Sequence, residues 1–415
     1  MDVDFRGGPK KPKTIEPLNN LTEPKLPSFD TLDGTGDSDP TEPTDAKTDG
    51  PVVDSKTASQ KSGFLSFRWN HSKRFTIIAA VVAVVLIGGG VAAALIMRPT
   101  NQGGTSISKK LPSTKKAPTT VASSLTGVQV DPSVNARPVT GVMIENSEDA
   151  RPQSGMDQAG VVFEAIAEGG ITRFLTLYQD GTPDYLGPVR SVRPYYLQWC
   201  MGFDCAIAHA GGSPEALSDI KAWGAKDLDQ FANSGAYWRI DSRYAPHNLY
   251  SSMAKLNELE TAKGFGTASF TPLTRKKDAA SKTPTASSID FNISSYVFNP
   301  HFDYDVASNS YKRSQNGAPH MVVNGAGAQV QLQPKVVVVL ITSYGIASDH
   351  HSEYGVTGSG EAYVFQDGVM TAGTWHKEDT KTSLSLTDAA GQPLGLNAGQ
   401  TWFTALPGAD KMTYK

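Results

Sequence analysis

Residues 75–97, FTIIAAVVAVVLIGGGVAAALIM, run for 23 residues without one charge. A helix needs about 20 apolar residues to cross the hydrocarbon core of a bilayer. A helix of that length in a soluble core would keep a polar face, and this one has none. The run predicts one transmembrane helix over 75–97. It starts too far from Met1 for a cleaved secretory signal. No cysteine stands near it to carry a lipid, so it reads as a single uncleaved anchor. Gly88, Gly89 and Gly90 permit close helix contact, but no small-xxx-small pattern stands out from the general Gly and Ala richness.

Orientation is set by the flanking cations. Lys61, Arg68, Lys73 and Arg74 precede the run, and Arg98, Lys109, Lys110, Lys115 and Lys116 come after it. Close to the membrane the count places the N-terminus in the cytoplasm, whereas counted over about 20 residues the two sides tie. Residues 1–70 are rich in Pro, Thr, Asp, Lys and Gly and hold no tryptophan before Trp69. Such a stretch buries too little apolar surface to offset the entropy of ordering, which predicts a disordered cytoplasmic tail. Residues 98–127 read as a Ser/Thr/Pro/Lys stalk.

Composition narrows the rest. Lys+Arg total 38 against Asp+Glu 41, a net charge of −3 that argues against a nucleic-acid partner. Two cysteines exclude a disulfide mini-protein. A Thr/Lys/Ser-rich stretch over 271–288 divides the chain beyond the stalk, giving domains over 128–275 and 290–415. The expected fold class is an α+β or α/β ectodomain: a mixed α/β N-terminal domain, then a mostly β C-terminal domain, preceded by one transmembrane helix.

In the first domain, runs 139–144, 161–167 and 171–178 are rich in β-branched and aromatic residues and read as strands. CAIAHA, 205–210, reads as a short buried strand. Ser213-Pro214 opens a helix that Gly224 ends, and a second helix covers 251–262 with Gly264 beyond it. In the second domain, 302–306 and 310–315 flank the turn Ala307-Ser308-Asn309. KVVVVLIT, 335–342, has the continuous apolar pattern of a strand buried on both faces. Residues 361–366 and 369–375 flank Asp367-Gly368, a hairpin signal, and 401–405 forms a last strand. Gly358-Ser359-Gly360 suits a tight turn, and Trp375, Trp402, Tyr363 and Phe365 are core candidates. A six-to-eight-strand sheet or barrel-like module fits.

Several long stretches carry a family resemblance: ARPQSGMDQAGVVFEAIAEGGITRFLTLY (150–178), GPVRSVRPYY (187–196), HAGGSPEAL (209–217), YWRID (237–241) and APHNLYS (245–251). In the second half they are NGAGAQVQLQPKVVVVLIT (324–342), GEAYVFQDGVMTAGTWHKED (360–379) and GQTWF (399–403). In collinear order over 135–410 the chain resembles the DUF3048 family, which includes bacterial envelope lipoproteins. The resemblance implies a membrane-attached, extracytoplasmic protein and so breaks the orientation tie. The chain departs from the lipoprotein pattern in its anchor, and the family's name assigns no reaction.

The first domain concentrates charge in and beside its apolar strands. Glu164 stands inside VVFEAIA. Glu168, Arg173, Arg190, Arg193, Arg239, Arg243 and Asn248 surround it in sequence, with His209 and His247. A carboxylate in a strand core needs a cation, and Arg173 or Arg190 would serve as the partner of Glu164. In one reading these residues form interior salt bridges. In the other they converge on a cleft in which Arg173, Arg190, Arg193, Arg239, Arg243 and Asn248 bind a carboxylate or phosphate. Gly211-Gly212 and the helix start at Ser213 would add a cradle for the anion. Glu164 or Glu168 with His209 or His247 would be the acid and base of a catalytic version. Cys200 and Cys205 form either a disulfide or two buried thiols, and no second pair completes a zinc site.

Asp349-His350-His351-Ser352-Glu353 has ligand-type residues without metal spacing and reads as a polar loop. Ser252-Met253-Ala254-Lys255 matches S-x-x-K, but so does Ser113–Lys116, and the nearest K-T-G is Lys381-Thr382-Ser383. No metal and no cofactor is expected. The leading expectation is an envelope module binding an anionic wall component or a wall-synthesis protein. The alternatives are a hydrolase or transferase of an envelope polymer and a scaffold recruiting partners through tail and span.

Overall fold

The computed structural model describes residues 119–324, 326–348 and 350–415. The expected tail, the apolar run 75–97 and most of the stalk lie outside the described residues. Among the described residues, no helix is long and apolar enough to cross a membrane. The last residues assigned to the stalk are a correction: Val121–Ala122 pairs with Gln129–Val130, and Leu125 is buried. Leu125 joins the core where the Lys/Thr/Pro pattern stops.

Twenty strands and helices carry the fold in chain order: β1 (Thr140–Glu145), β2 (Val161–Glu168), β3 (Ile171–Tyr178), α1 (Pro194–Met201), β4 (Ala206–Ala208), α2 (Pro214–Trp223), β5 (Lys226–Asp227), α3 (Met253–Ala262), β6 (Ser288–Phe291), β7 (Pro300–Asp305), β8 (Ser310–Gln315), β9 (Ala318–Pro319), β10 (Val336–Ile341), β11 (Tyr344–Ile346), β12 (Ser352–Tyr354), β13 (Gly358–Gln366), β14 (Val369–Lys377), β15 (Ser385–Asp388), β16 (Thr401–Leu406) and β17 (Met412–Tyr414). Among the described residues the three short α-helices are few against these strands, so this part of the chain is mostly β; all three helices lie in the first half, where β4, α2 and β5 form a parallel unit with the helix between its strands. The strands β1, β2 and β3 pack side by side as antiparallel neighbours, with β3 in the middle, without the helix that a βαβ crossover would insert.

Ten strands form one sheet in the order β15-β14-β13-β10-β16-β2-β3-β1-β4-β5. Its centre is parallel: β16 lies between β10 and β2 and runs with both. The Val336–Leu340 run is buried throughout, as a central parallel strand demands. The sheet thus takes strands from both sides of the 271–288 stretch, so the expected separate barrel-like module is corrected. Gly358-Ser359-Gly360 is likewise strand, the start of β13, and pairs with β14.

Side chains alternate between the two faces. On one face, Phe163 stacks between Trp199 of α1, with centroids 4.8 Å apart, and Phe403, at 4.7 Å. On the other face a five-stranded sheet, β9-β8-β7-β6-β17, covers the centre. There Phe302 of β7 meets Trp402 edge-on, and Arg313 of β8 reaches Glu164. Helix α2 is capped as the sequence predicts: the Ser213 hydroxyl accepts from the Ala216 amide, and Gly224 closes it in the left-handed region at φ +67°.

Candidate functional site

β1, β2, β4, β10 and β16 all point the same way. Their carboxyl ends, with the N-termini of α1 and α2, make one end of the sheet, and that end is where ligands bind in sheets with parallel strands. The GPVRSVR segment crosses it. Glu145 donates its amide to Pro188 O at 3.0 Å, Arg190 its amide to Met143 O at 2.9 Å, and Val192 its amide to Gly211 O at 3.0 Å. Val189 and Val192 are buried, which directs the alternate residues Arg190, Ser191 and Arg193 elsewhere.

Three guanidiniums gather there on two carboxylates. Glu145 ends β1 directly opposite Arg173 of β3. Arg173 donates to Glu168 Oε1 at 3.0 Å and to Ser191 O at 2.8 Å. Arg193, ahead of α1, pairs with Glu168 Oε2 and donates to Ser191 Oγ at 3.1 Å. Arg190 meets Glu145 through Nε at 3.4 Å, an ion pair without hydrogen-bond geometry. Arg173 and Arg193 are almost fully buried, whereas the side chains of Arg190 and Glu168 are 25% and 34% exposed. The Nε of each arginine and Oε2 of Glu145 lack hydrogen-bond partners.

The electrostatics reflect that arrangement. Burial alone would raise the Glu168 pKa, but Arg173 and Arg193 outweigh it and hold the carboxyl below its ordinary value. Burial pulls the guanidinium pKa values of Arg190 and Arg193 down, and neighbouring Arg173 adds to this. The cluster is cation-rich, its two buried guanidiniums are held by hydrogen bonds, and it is open to solvent at Arg190 and Glu168.

His247 joins the same cluster. Its Nδ1 lies 2.9 Å from Glu145 Oε1 and 3.2 Å from Ser147 Oγ. Ser147 Oγ also donates to Glu145 Oε1 at 2.7 Å. Acid and hydroxyl thus share one imidazole nitrogen, whereas a nucleophile relay needs them on opposite nitrogens.

The remaining predicted residues lie apart. Glu164 is wholly buried and paired with Arg313, whose Nη2 donates to its two oxygens at 2.8 and 3.0 Å. The expectation that Arg173 or Arg190 would neutralise it is corrected, and a solvent-borne substrate does not reach it. Trp402 Nε1 donates to Glu164 Oε2 at 3.0 Å, and the Arg313 guanidinium lies 4.8 Å from the Trp402 ring centroid. His320 completes this buried network. Burial first, then Arg313 and Arg151, push its pKa well below the ordinary value. The neutral ring faces the Arg313 Nη1 donor with Nδ1 and Gln153 Oε1 with Nε2.

His209 is buried elsewhere, with Nδ1 2.8 Å from Gly211 O and Nε2 3.0 Å from Asp227 Oδ1. Arg239 donates to Asn248 Oδ1 at 2.7 Å, and Asn248 ties back to Ile240 O and Arg243 O at 3.1 Å. Arg243 anchors on Ala150 O, Pro152 O and the Tyr250 hydroxyl. These three residues brace the 240–250 loop, so the single cleft expected from sequence reduces to Glu168, Arg173, Arg190, Arg193 and His247. Glu145, Ser147 and Ser191 were missed. Glu145 closes the apolar run Val-Met-Ile as Glu168 closes Ala-Ile-Ala, a repeated strand-end carboxylate that signals the sheet end.

Cys200 and Cys205 are disulfide-bonded, with Cα atoms 5.3 Å apart. Ser252 caps α3, accepting from the Lys255 amide, which accounts for the S-x-x-K match. Ser352 and Glu353 of the expected polar loop lie in β12, which pairs with β11, while Asp349 lies outside the described residues.

A mostly β protein with an arginine-rich site at a sheet end is the class so defined. Residues 125–266 match the N-terminal domain, and 288–403 the C-terminal domain, of a protein of unknown function, DUF3048. The chain belongs to the DUF3048 family. It is similar to "Putative lipoprotein YerB" of Bacillus subtilis (strain 168), 29% identical over 260 residues, which cover 62% of this chain and 77% of the relative. The crystal structure of YerB protein from Bacillus subtilis superposes with a TM-score of 0.63 at 27% identity, covering 71% of this chain and 99% of that one.

Proposed function

We propose that this chain is a membrane-associated, extracytoplasmic module of a bacterial envelope that binds an anionic wall component at the Arg173–Arg190–Arg193 cluster. The observation that carries the reading is charge arithmetic at one place. Three guanidiniums share two carboxylates, and Arg190, the one that is partly exposed, holds only a long contact to Glu145. A planar guanidinium with free donors suits phosphate or carboxylate oxygens, and the half-buried setting strengthens the attraction. Three further facts support the location: the uncharged run 75–97, the disulfide, which fits an oxidising compartment, and the similarity to a relative named as a lipoprotein. The run would hold the chain as a single-pass anchor, with the N-terminus cytoplasmic.

The test is co-sedimentation of the full-length chain with insoluble wall material rich in phosphodiester polymer. The expected result is salt-sensitive binding that Arg190→Glu weakens at least tenfold. Binding of wild type and variant to the same extent would sink the proposal.

A further inference from the structure

Beside the arginine cluster lies a cleft of about 450 Å³, within the range of about 300–1,000 Å³ typical of ligand pockets. It is framed by the start of α1, the first turn of α2 and the β11–β12 hairpin. Two chain segments connect it to the cluster. Arg193 is followed directly by Pro194 in the cleft wall, and the backbone of Glu168 pairs antiparallel with that of His351, next to Ser352 of the same wall.

The lining is selective. It holds no Leu, Ile, Val or Met. Tyr344 stands outermost, 36% exposed, with its ring 5.0 Å from Tyr354, which in turn meets Tyr195 at 5.0 Å. The deeper hydroxyls are committed: Tyr195 donates to Ile166 O at 2.6 Å, and Tyr354 accepts from the Ile166 amide at 3.2 Å. Aromatic surface therefore faces the cleft on a fixed support. Around it stand Gln198 and Glu353. A carboxylate and an amide beside an aromatic face offer acceptors to a hydroxyl-rich ring whose C–H face packs on the aromatic. The same carboxylate repels an anion, which directs a ligand's negative group to the arginines next door.

We infer that this cleft is a saccharide subsite contiguous with the arginine cluster, so that the module takes an anionic saccharide, ring in the cleft and anion at Arg190. The inference rests on the anion-binding reading above and names its ligand class. Lectin-like recognition arises from the cleft, and charge recognition from the cluster, so each side is separately removable.

The test is calorimetric titration of the full-length chain with N-acetylglucosamine 6-phosphate, N-acetylglucosamine and inorganic phosphate. The sugar phosphate is expected to bind at least tenfold tighter than inorganic phosphate. Tyr344→Ala and Gln198→Ala, both at partly exposed positions, should each erase most of that gain while leaving phosphate binding unchanged. Arg190→Glu should weaken phosphate and sugar phosphate alike. Equal affinities for phosphate and sugar phosphate, or a gain that survives both cleft variants, overturn the saccharide subsite and leave the anion reading standing. Absence of phosphate binding, with sugar and sugar phosphate bound equally, overturns the anion reading.

Discussion

Glu260 of α3 is wholly buried, accepts one hydrogen bond from Thr140 Oγ1 at 2.8 Å, and leaves Oε2 without a partner. Burial pushes its pKa up from 4.5 to about 7, against the smaller opposing pull of Thr140 and Lys226. The folded state therefore holds a proton that the unfolded chain releases near pH 4.5, and stability falls as pH rises from about 4.5 to 7. A shift of that size corresponds to roughly 3 kcal/mol between the two protonation states. Glu260→Gln should remove this slope: relative to wild type, the variant gains stability on going from pH 4.5 to pH 8. Denaturant titrations at both pH values check it, and parallel slopes would refute the assignment. The sequence shows Glu260 only as one more acid on an amphipathic helix. The Glu164–Arg313 pair was equally illegible, because its members are 149 residues apart and meet only when the five-stranded sheet covers the ten-stranded one. What could be read locally was the need for a partner, since an unpaired buried carboxylate costs several kcal/mol.

α1 shows how an element was missed although its signal was present. Pro194 at the first helical position comes after extended Arg193, a recognised helix start, but the aromatic run Pro-Tyr-Tyr-Leu-Gln-Trp-Cys-Met has no polar face to display periodicity. The helix is nearly all buried, on the sheet face that carries Phe163. Its C-terminal end is tied by the Cys200–Cys205 disulfide to the start of β4. The bridge packs where a side chain would not fit: a Cβ on Gly141 of β1 would sit 2.8 Å from Cys205 Sγ and 3.1 Å from Cys200 Sγ. Closing so short a loop stabilises the fold by about 2 kcal/mol through the unfolded chain. The Cys200→Ser, Cys205→Ser double variant should therefore melt roughly 5 °C lower than wild type and be indifferent to reductant, whereas wild type should fall toward the variant when reduced. A melting point that the double substitution leaves unchanged would refute this account. The β13–β14 hairpin, by contrast, was legible from Asp367-Gly368, with Asp367 at φ +57° and Gly368 at +75°. Its second role was not. The Asp367 carboxylate accepts from Asn309, Asn397 and the Ala279 amide, tying the 271–288 stretch to the hairpin.

At the scale of the molecule, composition divides the chain at 271–288, but the main sheet does not divide there. β16 supplies the parallel partner of β2 in the register Thr401↔Val161 through Thr404↔Glu164, and Arg313 neutralises Glu164 from the five-stranded sheet. Sequence reveals strands one at a time through their periodicity, while the pairing of β2 with a strand far along the chain leaves no local trace. The consequence is testable. A fragment covering 119–275 would expose the whole β2 edge, leave the Trp199–Phe163 stack without Phe403, and uncover the sheet face on which Glu164 meets Arg313 and the five-stranded sheet packs. Uncovering apolar surface on the edge and on that face removes the main offset to the entropy of ordering, and the whole stability of a domain is only about 5–15 kcal/mol. The fragment alone should lack a cooperative unfolding transition and dispersed amide resonances. Co-expression with 276–415 should restore both, because the missing strands and Arg313 return in trans. A fragment 119–275 that unfolds cooperatively by itself would show that the first half builds its own core, and that β16 merely adds to a sheet already stable without it.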